Sequence, residues 1–392
     1  MSSTPAVSAG YSLIQDFGVA GAFYDNFNFQ NTGRTSGFAN YVDRATAEAS
    51  HLINSSASNG TLLTVDSTNV FSPNSTGRPS IRLESKNLYG WGLYIFDVAH
   101  VPSGCGVWPA MWFKKADSND TIIAEIDVME TINLRQKSEH NLFSGKGCYA
   151  SPDRQQLGTA MGTDCDATKP RVQGTVYGCE NEGDPNAGGI GPAFNANGGG
   201  VYAMNLDARA LNLYFFPRSS VPADIAAGTP NPGSWTVEPT INFPFDCCSP
   251  DYFDKMTMVI NTNFCGSWIA LGTDQATCPM MTADPAACSA YVGANPSSLG
   301  EAYWQFNSIK YYKPTVPPAF APNTTATCPS DAIVTSSLNE SLPVSASAPL
   351  GSAPTGASVA AKSQAMGGAR LASKALLTAS LVGICGWALS VL

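Results

Sequence analysis

The sequence predicts an all-β domain of the large-sandwich kind, and three observations carry that expectation. Gly 36 and Pro 27 stand among 392 residues of which only 13% are charged, a turn-rich composition with little material for long helices. Phe, Tyr, Trp, Val, Ile and Thr recur in short runs, and these residues suit a pleated, half-buried surface. From about Tyr11 to Lys313 such runs are broken by Gly, Pro, Asn and Asp, with no internal repeat and no linker. One domain of roughly 300 residues follows.

Taken in order, the strand-like stretches are 80–84, 92–98, 107–113, 121–129, 200–206, 211–216, 255–262 and 304–312. Several alternate apolar with polar residues, the pattern of a strand buried on one face. After Pro314 the composition turns to Pro, Ser, Ala and Thr with almost no aromatics, so residues 314–370 read as a flexible stalk too poor in apolar bulk to form a core. The end, 375–392, is apolar and uncharged, follows Arg370 and Lys374, and is preceded by the small residues Gly367, Gly368 and Ala369. That is the layout of a glycolipid-anchor signal with attachment at Gly367, the alternative being a transmembrane tail of barely sufficient length.

Charge and cysteines narrow the class. A formal net charge of −9 offers no basic footprint for phosphate backbones, so nucleic acid is not an expected partner. Of eleven cysteines one lies in the apolar tail, leaving ten. They lack paired C-x-x-C spacing and the chain has three histidines, so disulfides, and hence an extracellular compartment, are expected rather than a metal centre or any other cofactor. Sequons at Asn54, Asn59, Asn74, Asn119, Asn323 and Asn339 agree with export. Residues 1–17 hold neither a charged n-region nor an apolar run, so a missing first segment is expected, unconventional export being the alternative.

The chemistry concentrates in Ala124-Glu125-Ile126-Asp127-Val128-Met129-Glu130. On a strand Glu125 and Asp127 share one face, and strict alternation would place Met129 beside them. One extra residue near Val128-Met129, a β-bulge, brings Glu130 to that face instead. Three crowded carboxylates cannot all ionise freely, so their pKa values split. A retaining glycosidase needs that split: one ionised nucleophile and one protonated acid. An acidic strand or a Ca²⁺ site is the competing reading. Context favours the first, since Trp108-Pro-Ala-Met-Trp112 lies just upstream and sugar rings stack on aromatics. For Trp112 a core position stays equally open.

At these residues the chain resembles the fungal β-1,3(4)-glucanases of glycoside hydrolase family 16. Gly37-Phe-Ala-Asn-Tyr-Val-Asp43, Ser85-Lys-Asn-Leu-Tyr89, Cys105-Gly-Val-Trp-Pro-Ala-Met-Trp112, the 125–130 motif, Gly198-Gly-Gly-Val-Tyr-Ala-Met204, Phe216-Pro-Arg218, Phe264-Cys-Gly-Ser-Trp268 and Glu301-Ala-Tyr-Trp304 follow that family's order. The resemblance implies a concanavalin A-like β-jelly-roll sandwich with a concave substrate cleft over residues 20–313, between an N-terminal segment 1–19, the 314–370 stalk and the 371–392 tail. It implies Glu125 as nucleophile, Glu130 as acid/base and Asp127 as the assisting acid, with Asn40, Arg82, Trp108, Trp268 and Glu301 as cleft positions, beside which Trp112 is a substrate-binding candidate from its place next to the motif. The chain departs from the pattern at Asp120–Ala124, where the family has Trp-Pro and Gly, at Thr131 and at Asn205-Leu206. It also carries Leu142-Phe143-Ser144 in place of Leu-His-Thr.

Three functions are expected in descending order. The first is endo-acting retaining hydrolysis of β-1,3- or mixed-linkage glucan by a monomer anchored outside the cell. The second is transglycosylation by the same covalent intermediate, and the third is glucan binding without turnover.

Overall fold

The computed structural model describes residues 10–336 except 32, 55–57, 118–121, 152–153, 170–177, 185, 272–275, 317–318 and 321–325. Asn119, Asn323, Asn339, Gly367, most of the stalk and the 371–392 tail lie outside the described residues. The strands of the two large sheets are β1 (Tyr11–Asp16), β2 (Phe27–Phe29), β3 (Thr61–Leu63), β4 (Arg82–Tyr89), β5 (Gly92–His100), β6 (Val107–Ala116), β7 (Ile122–Glu130), β8 (Leu142–Phe143), β9 (Gly200–Leu206), β10 (Ala210–Pro217), β11 (Ile241–Pro244), β12 (Met256–Phe264) and β13 (Trp304–Pro314).

A seven-stranded sheet runs β1-β13-β5-β9-β10-β11, with β3 also paired to β13. A six-stranded sheet runs β8-β7-β6-β12-β4-β2. Within both sheets every pairing is antiparallel. This is the expected jelly-roll sandwich.

Period-2 alternation builds its core. Tyr94, Phe96 and Val98 of β5 and Tyr202, Met204 and Leu206 of β9 face Leu83 of β4, Met111 and Phe113 of β6, Ile126 of β7, and Met258 and Ile260 of β12. Fully burying one such side chain contributes about 1.5–3 kcal/mol, so the in/out register of each strand is strongly specified. The intervening residues of the six-stranded sheet, Trp108, Ala110, Trp112, Glu125, Asp127, Asn261 and Asn263, are thereby committed to its other face.

Two expected boundaries move. Tyr11–Asp16, assigned to an N-terminal segment, is an edge strand paired with the C-terminal end of β13. At the far end the domain does not stop at 313. Cys328 is bonded to Cys247, Ile333 N–H donates to the Gly147 carbonyl at 2.7 Å, and Tyr149 hydroxyl donates to Asp331 at 2.8 Å. A segment with a stalk's composition is thus held by one covalent bond and polar contacts, which hydrophobic patterning does not register.

All ten non-tail cysteines are paired, as 105–278, 148–248, 165–179, 247–328 and 265–288. The native protein is therefore expected to show no free thiol at these ten positions in a thiol titration until a reductant is added. Several reactive thiols would contradict the pairing.

Candidate active site

The bulge expected in β7 is present. Glu125 pairs with Lys114, Ile126 with Phe113 and Asp127 with Trp112, and then the register shifts so that Met129 pairs with Met111 and Glu130 with Ala110. Residues directly opposite in an antiparallel pair share a face. Glu125, Asp127 and Glu130 therefore stand on the face that carries Lys114, Trp112 and Ala110, while Ile126, Val128 and Met129 all enter the core. Val128 is the extra residue, and without it Met129 and Glu130 would exchange faces. The alanine opposite Glu130 leaves that carboxyl room.

The three acids are deeply set, with exposures of 4% for Glu125, 2% for Asp127 and 5% for Glu130. Burial pushes the Asp127 carboxyl well above the usual range, and Glu125, Glu130 and Glu139 push it further the same way. Asp127 Oδ1 has no hydrogen-bond partner among the described residues. Asp127 thus stands between the two glutamates with its carboxyl biased towards the neutral form. Trp108 Nε1 donates to Glu130 Oε1 at 2.7 Å, which fixes that carboxyl's orientation. Beside Glu125 on the cleft face, Lys114 and Arg82 both bind Glu84 Oε1, at 3.0 and 2.8 Å. Burial pushes Glu84 up, but these two cations outweigh it and hold it below the ordinary value. Lys114 is so engaged with Glu84, although it lies opposite Glu125.

Over residues 26–312 the sequence matches the family model described as XgeA-like, catalytic GH16 domain. The chain belongs to glycoside hydrolase family 16. A probable glycosidase of Schizosaccharomyces pombe is 36% identical over 307 residues, covering 77% of this chain and 69% of that protein. A probable endo-1,3(4)-beta-glucanase of Aspergillus fumigatus is 36% identical over 299 residues, 74% of this chain and 44% of its own length, so the chain spans under half of that relative. Among solved structures, Laminarinase 16A from Phanerochaete chrysosporium, with β-glucans in donor and acceptor sites, superposes with TM-score 0.69 at 35% identity, covering 78% of this chain and all (100%) of that one. An elongating family 16 β-1,3-glucosyltransferase superposes equally, with TM-score 0.69 at 32% identity, covering 77% and 100% of the two chains.

The other expected positions of this family 16 site divide. Trp268 is half-buried and meets Trp108 edge to face, ring centroids 5.6 Å apart. The loop can approach there because residue 266 is glycine: it holds φ +93°, and a Cβ would come within 2.8 Å of the Trp108 ring. Arg82 covers the ring of Trp112 at 5.2 Å. Trp112 itself is 0% exposed and donates to Asn261 Oδ1 at 2.8 Å, so the core alternative holds for it and it supports the site from beneath. Asn40 is half-buried in Ala39–Tyr41, a strand of a small sheet whose Phe38 N–H donates to Phe264. Glu301 stands apart from the carboxylates. It accepts from His100 Nε2 at 2.9 Å and lines a depression with Ser103, Asn195 and Tyr303 that includes none of the three acids. Of the described sequons, Asn59 and Asn74 are exposed, whereas Asn54 is half-buried with Nδ2 donating to Gly60 and Oδ1 accepting from Tyr24 and Leu62.

Several groups at the site were not anticipated. Phe143, noted only for replacing a histidine, lies directly opposite Glu125 on the edge strand β8. Glu139 lies beside Glu130, its N–H donating to the Glu130 carbonyl at 2.8 Å. His140 is fully buried, with Nδ1–H donating to the Val128 carbonyl at the bulge at 2.8 Å. The available signal was the polar run Arg135-Gln-Lys-Ser-Glu-His140, dense in charge for so apolar a region.

Glu139 and His140 make opposed contributions to stability. Burial chiefly raises the Glu139 carboxyl from 4.5 to about 7, with Glu182 adding and Arg135 opposing. Its contribution is full below about pH 4.5 and is lost as pH rises towards 7, because the unfolded chain ionises first. Burial lowers His140 from 6.5 to about 4, so its contribution is lost as pH falls through that window. The His140 effect cancels when wild type is compared with Glu139→Gln. Across pH 4.5–7 the wild type is expected to lose about 2–3 kcal/mol relative to that variant in urea unfolding. Parallel pH profiles would refute the assignment.

Proposed function

We propose that the protein is an endo-acting, retaining hydrolase of β-1,3- or mixed-linkage β-1,3(4)-glucan. One observation carries this reading: the β7 bulge brings Glu125, Asp127 and Glu130 onto one aromatic-lined face, with Trp108 bonded to Glu130. Glu125 attacks the anomeric carbon, forming a glycosyl–enzyme ester, while Glu130 protonates the departing glycosidic oxygen. Glu130, now ionised, takes a proton from the incoming water, which releases a sugar of retained configuration. Asp127, held neutral, stands beside Glu125 on the same face without adding charge to it. Two carboxylates then carry the reaction, and no step calls for a cofactor. The names of the 34–36% identical relatives, mostly endo-1,3(4)-beta-glucanases, support the substrate class.

Transglycosylation is the second reading, in which a glucan hydroxyl replaces water. The similar glucosyltransferase supports it, as does Phe143 beside Glu125, an apolar ring that offers an attacking water no hydrogen bond. The product profile on laminarin, lichenan and barley glucan decides. Shorter chains mean hydrolysis, longer ones transfer, and no change on any of them overturns both.

The five disulfides support a location outside the cell. The apolar 375–392 tail supports a glycolipid attached near Gly367, holding the enzyme to the plasma membrane. A phosphatidylinositol-specific phospholipase should then release it from intact cells without the tail peptide, and retention with that peptide intact would refute the anchor.

A further inference from the structure

After Glu130 the chain turns sharply at Asn133, which holds φ +58°, and returns alongside β7. Glu139 then pairs with Glu130, and Glu182 pairs with Glu139. Three glutamates thus occupy neighbouring positions across three adjacent segments, an arrangement that like-charge repulsion disfavours. Arg135 answers it. Its Nη1 donates to Glu139 Oε1 and its Nη2 to Glu182 Oε1, both at 3.1 Å, and Lys137 completes the set on Glu182 Oε2 at 2.9 Å. A guanidinium gripped at both ends is confined, and this one is 19% exposed.

Its guanidinium carbon lies over the Trp268 ring, 5.3 Å from the centroid. Trp268 meets Trp108, and Trp108 donates to Glu130. The contacts close a circuit: Glu130 to Glu139 through backbone, Glu139 to Arg135 by charge, Arg135 to Trp268 by a cation–π contact, then through Trp108 back to the Glu130 carboxyl. Nothing else in the mechanism uses Arg135 or Glu182.

We propose that Arg135, clamped by Glu139 and Glu182, is a positioning residue that holds Trp268 as the ring against which a β-glucosyl unit packs at the Glu130 end of the cleft. This rests on the glucanase reading above. A planar, always-charged guanidinium suits the task where an ammonium would not, because it can stack on the indole while both nitrogens stay bonded. Loss of the stack frees the indole to rotate, so bound oligosaccharide loses its platform while the bond-breaking carboxylates stay in place.

The test is a double-mutant cycle on the full chain with laminarioligosaccharides as substrate. Arg135→Ala is expected to raise KM about 3- to 30-fold, with kcat changed far less, because the missing cation–π contact acts on binding. Trp268→Ala should raise KM at least as much. If Arg135 acts through Trp268, the double variant should be no worse than Trp268→Ala alone. Arg135→Lys should behave like Arg135→Ala, since a lysine cannot span both carboxylates and stack. Additive losses in the double variant, or full activity in Arg135→Lys, would overturn the proposal. Should Arg135→Ala fail to fold, Arg135→Met keeps the apolar stem over the indole, and the same criterion of additivity applies. A wild type inactive on these substrates would instead overturn the glucanase reading.

Discussion

Glu125→Gln abolishes glucan turnover while the domain stays folded. The nucleophile supplies a covalent path that an amide cannot, so the expected loss is at least about 10²–10⁴-fold. Folding survives for three reasons visible in the site. Glutamine keeps the side chain's shape, Lys114 retains its partner Glu84 at 3.0 Å, and the crowd around Asp127 loses one negative charge. The variant's unfolding midpoint should equal or exceed that of wild type. With Glu125→Gly the cavity admits azide, which attacks an activated β-glycosyl fluoride directly and gives a product of inverted configuration. Near-normal hydrolysis by Glu125→Gln would remove Glu125 from the mechanism.

Glu130→Gln loses activity on polymer by a comparable factor, about 10²–10⁴-fold, but in a way that separates its role from that of Glu125. The variant keeps an acceptor for Trp108 Nε1, so the tryptophan pair is not disturbed. A substrate whose leaving group needs no proton should still form the glycosyl–enzyme, which then accumulates because no base activates water. A burst followed by slow turnover is the expected trace. Azide should relieve it and give a product of retained configuration, the opposite stereochemistry to Glu125→Gly. Identical stereochemistry from the two variants would mean that the roles are wrongly divided.

The sequence placed both glutamates on one face of a bulged strand, and the reason is local. Bulge, spacing and apolar neighbours all lie within seven residues, and a slip of one would bury Glu130 and expose Met129. Each of the eight expected strands overlaps an observed one, the 80–84 stretch being divided at Ile81 between Arg78–Ser80 and Arg82–Tyr89. Among the strands that were missed, Phe27–Phe29, Thr61–Leu63 and Leu142–Phe143 are two or three residues long and carry too little pattern to register, whereas Tyr11–Asp16 has six residues but is exposed along much of its length. The 326–336 segment was misassigned because its ties are a disulfide and carbonyl contacts, which composition does not encode.

What the residue order alone determined was therefore the all-β class, the oxidised cysteines and the common face of the two glutamates, since each depends on composition or on neighbours a few positions away. Disulfide pairing was out of reach because it needs separations of 14 to 173 residues to close in space. Trp112 was equally undecidable, because its burial depends on Arg82 and Asn261 from other strands. The same holds for the brace around Glu130. Arg135 and Glu139 lie four residues apart on one segment, but Glu182 comes from another and Trp268 arrives from beyond β12. Only the folded sheet brings these charges and rings within a few ångströms, where stacking and ion pairing fall off too steeply with distance to be read from positions along a chain.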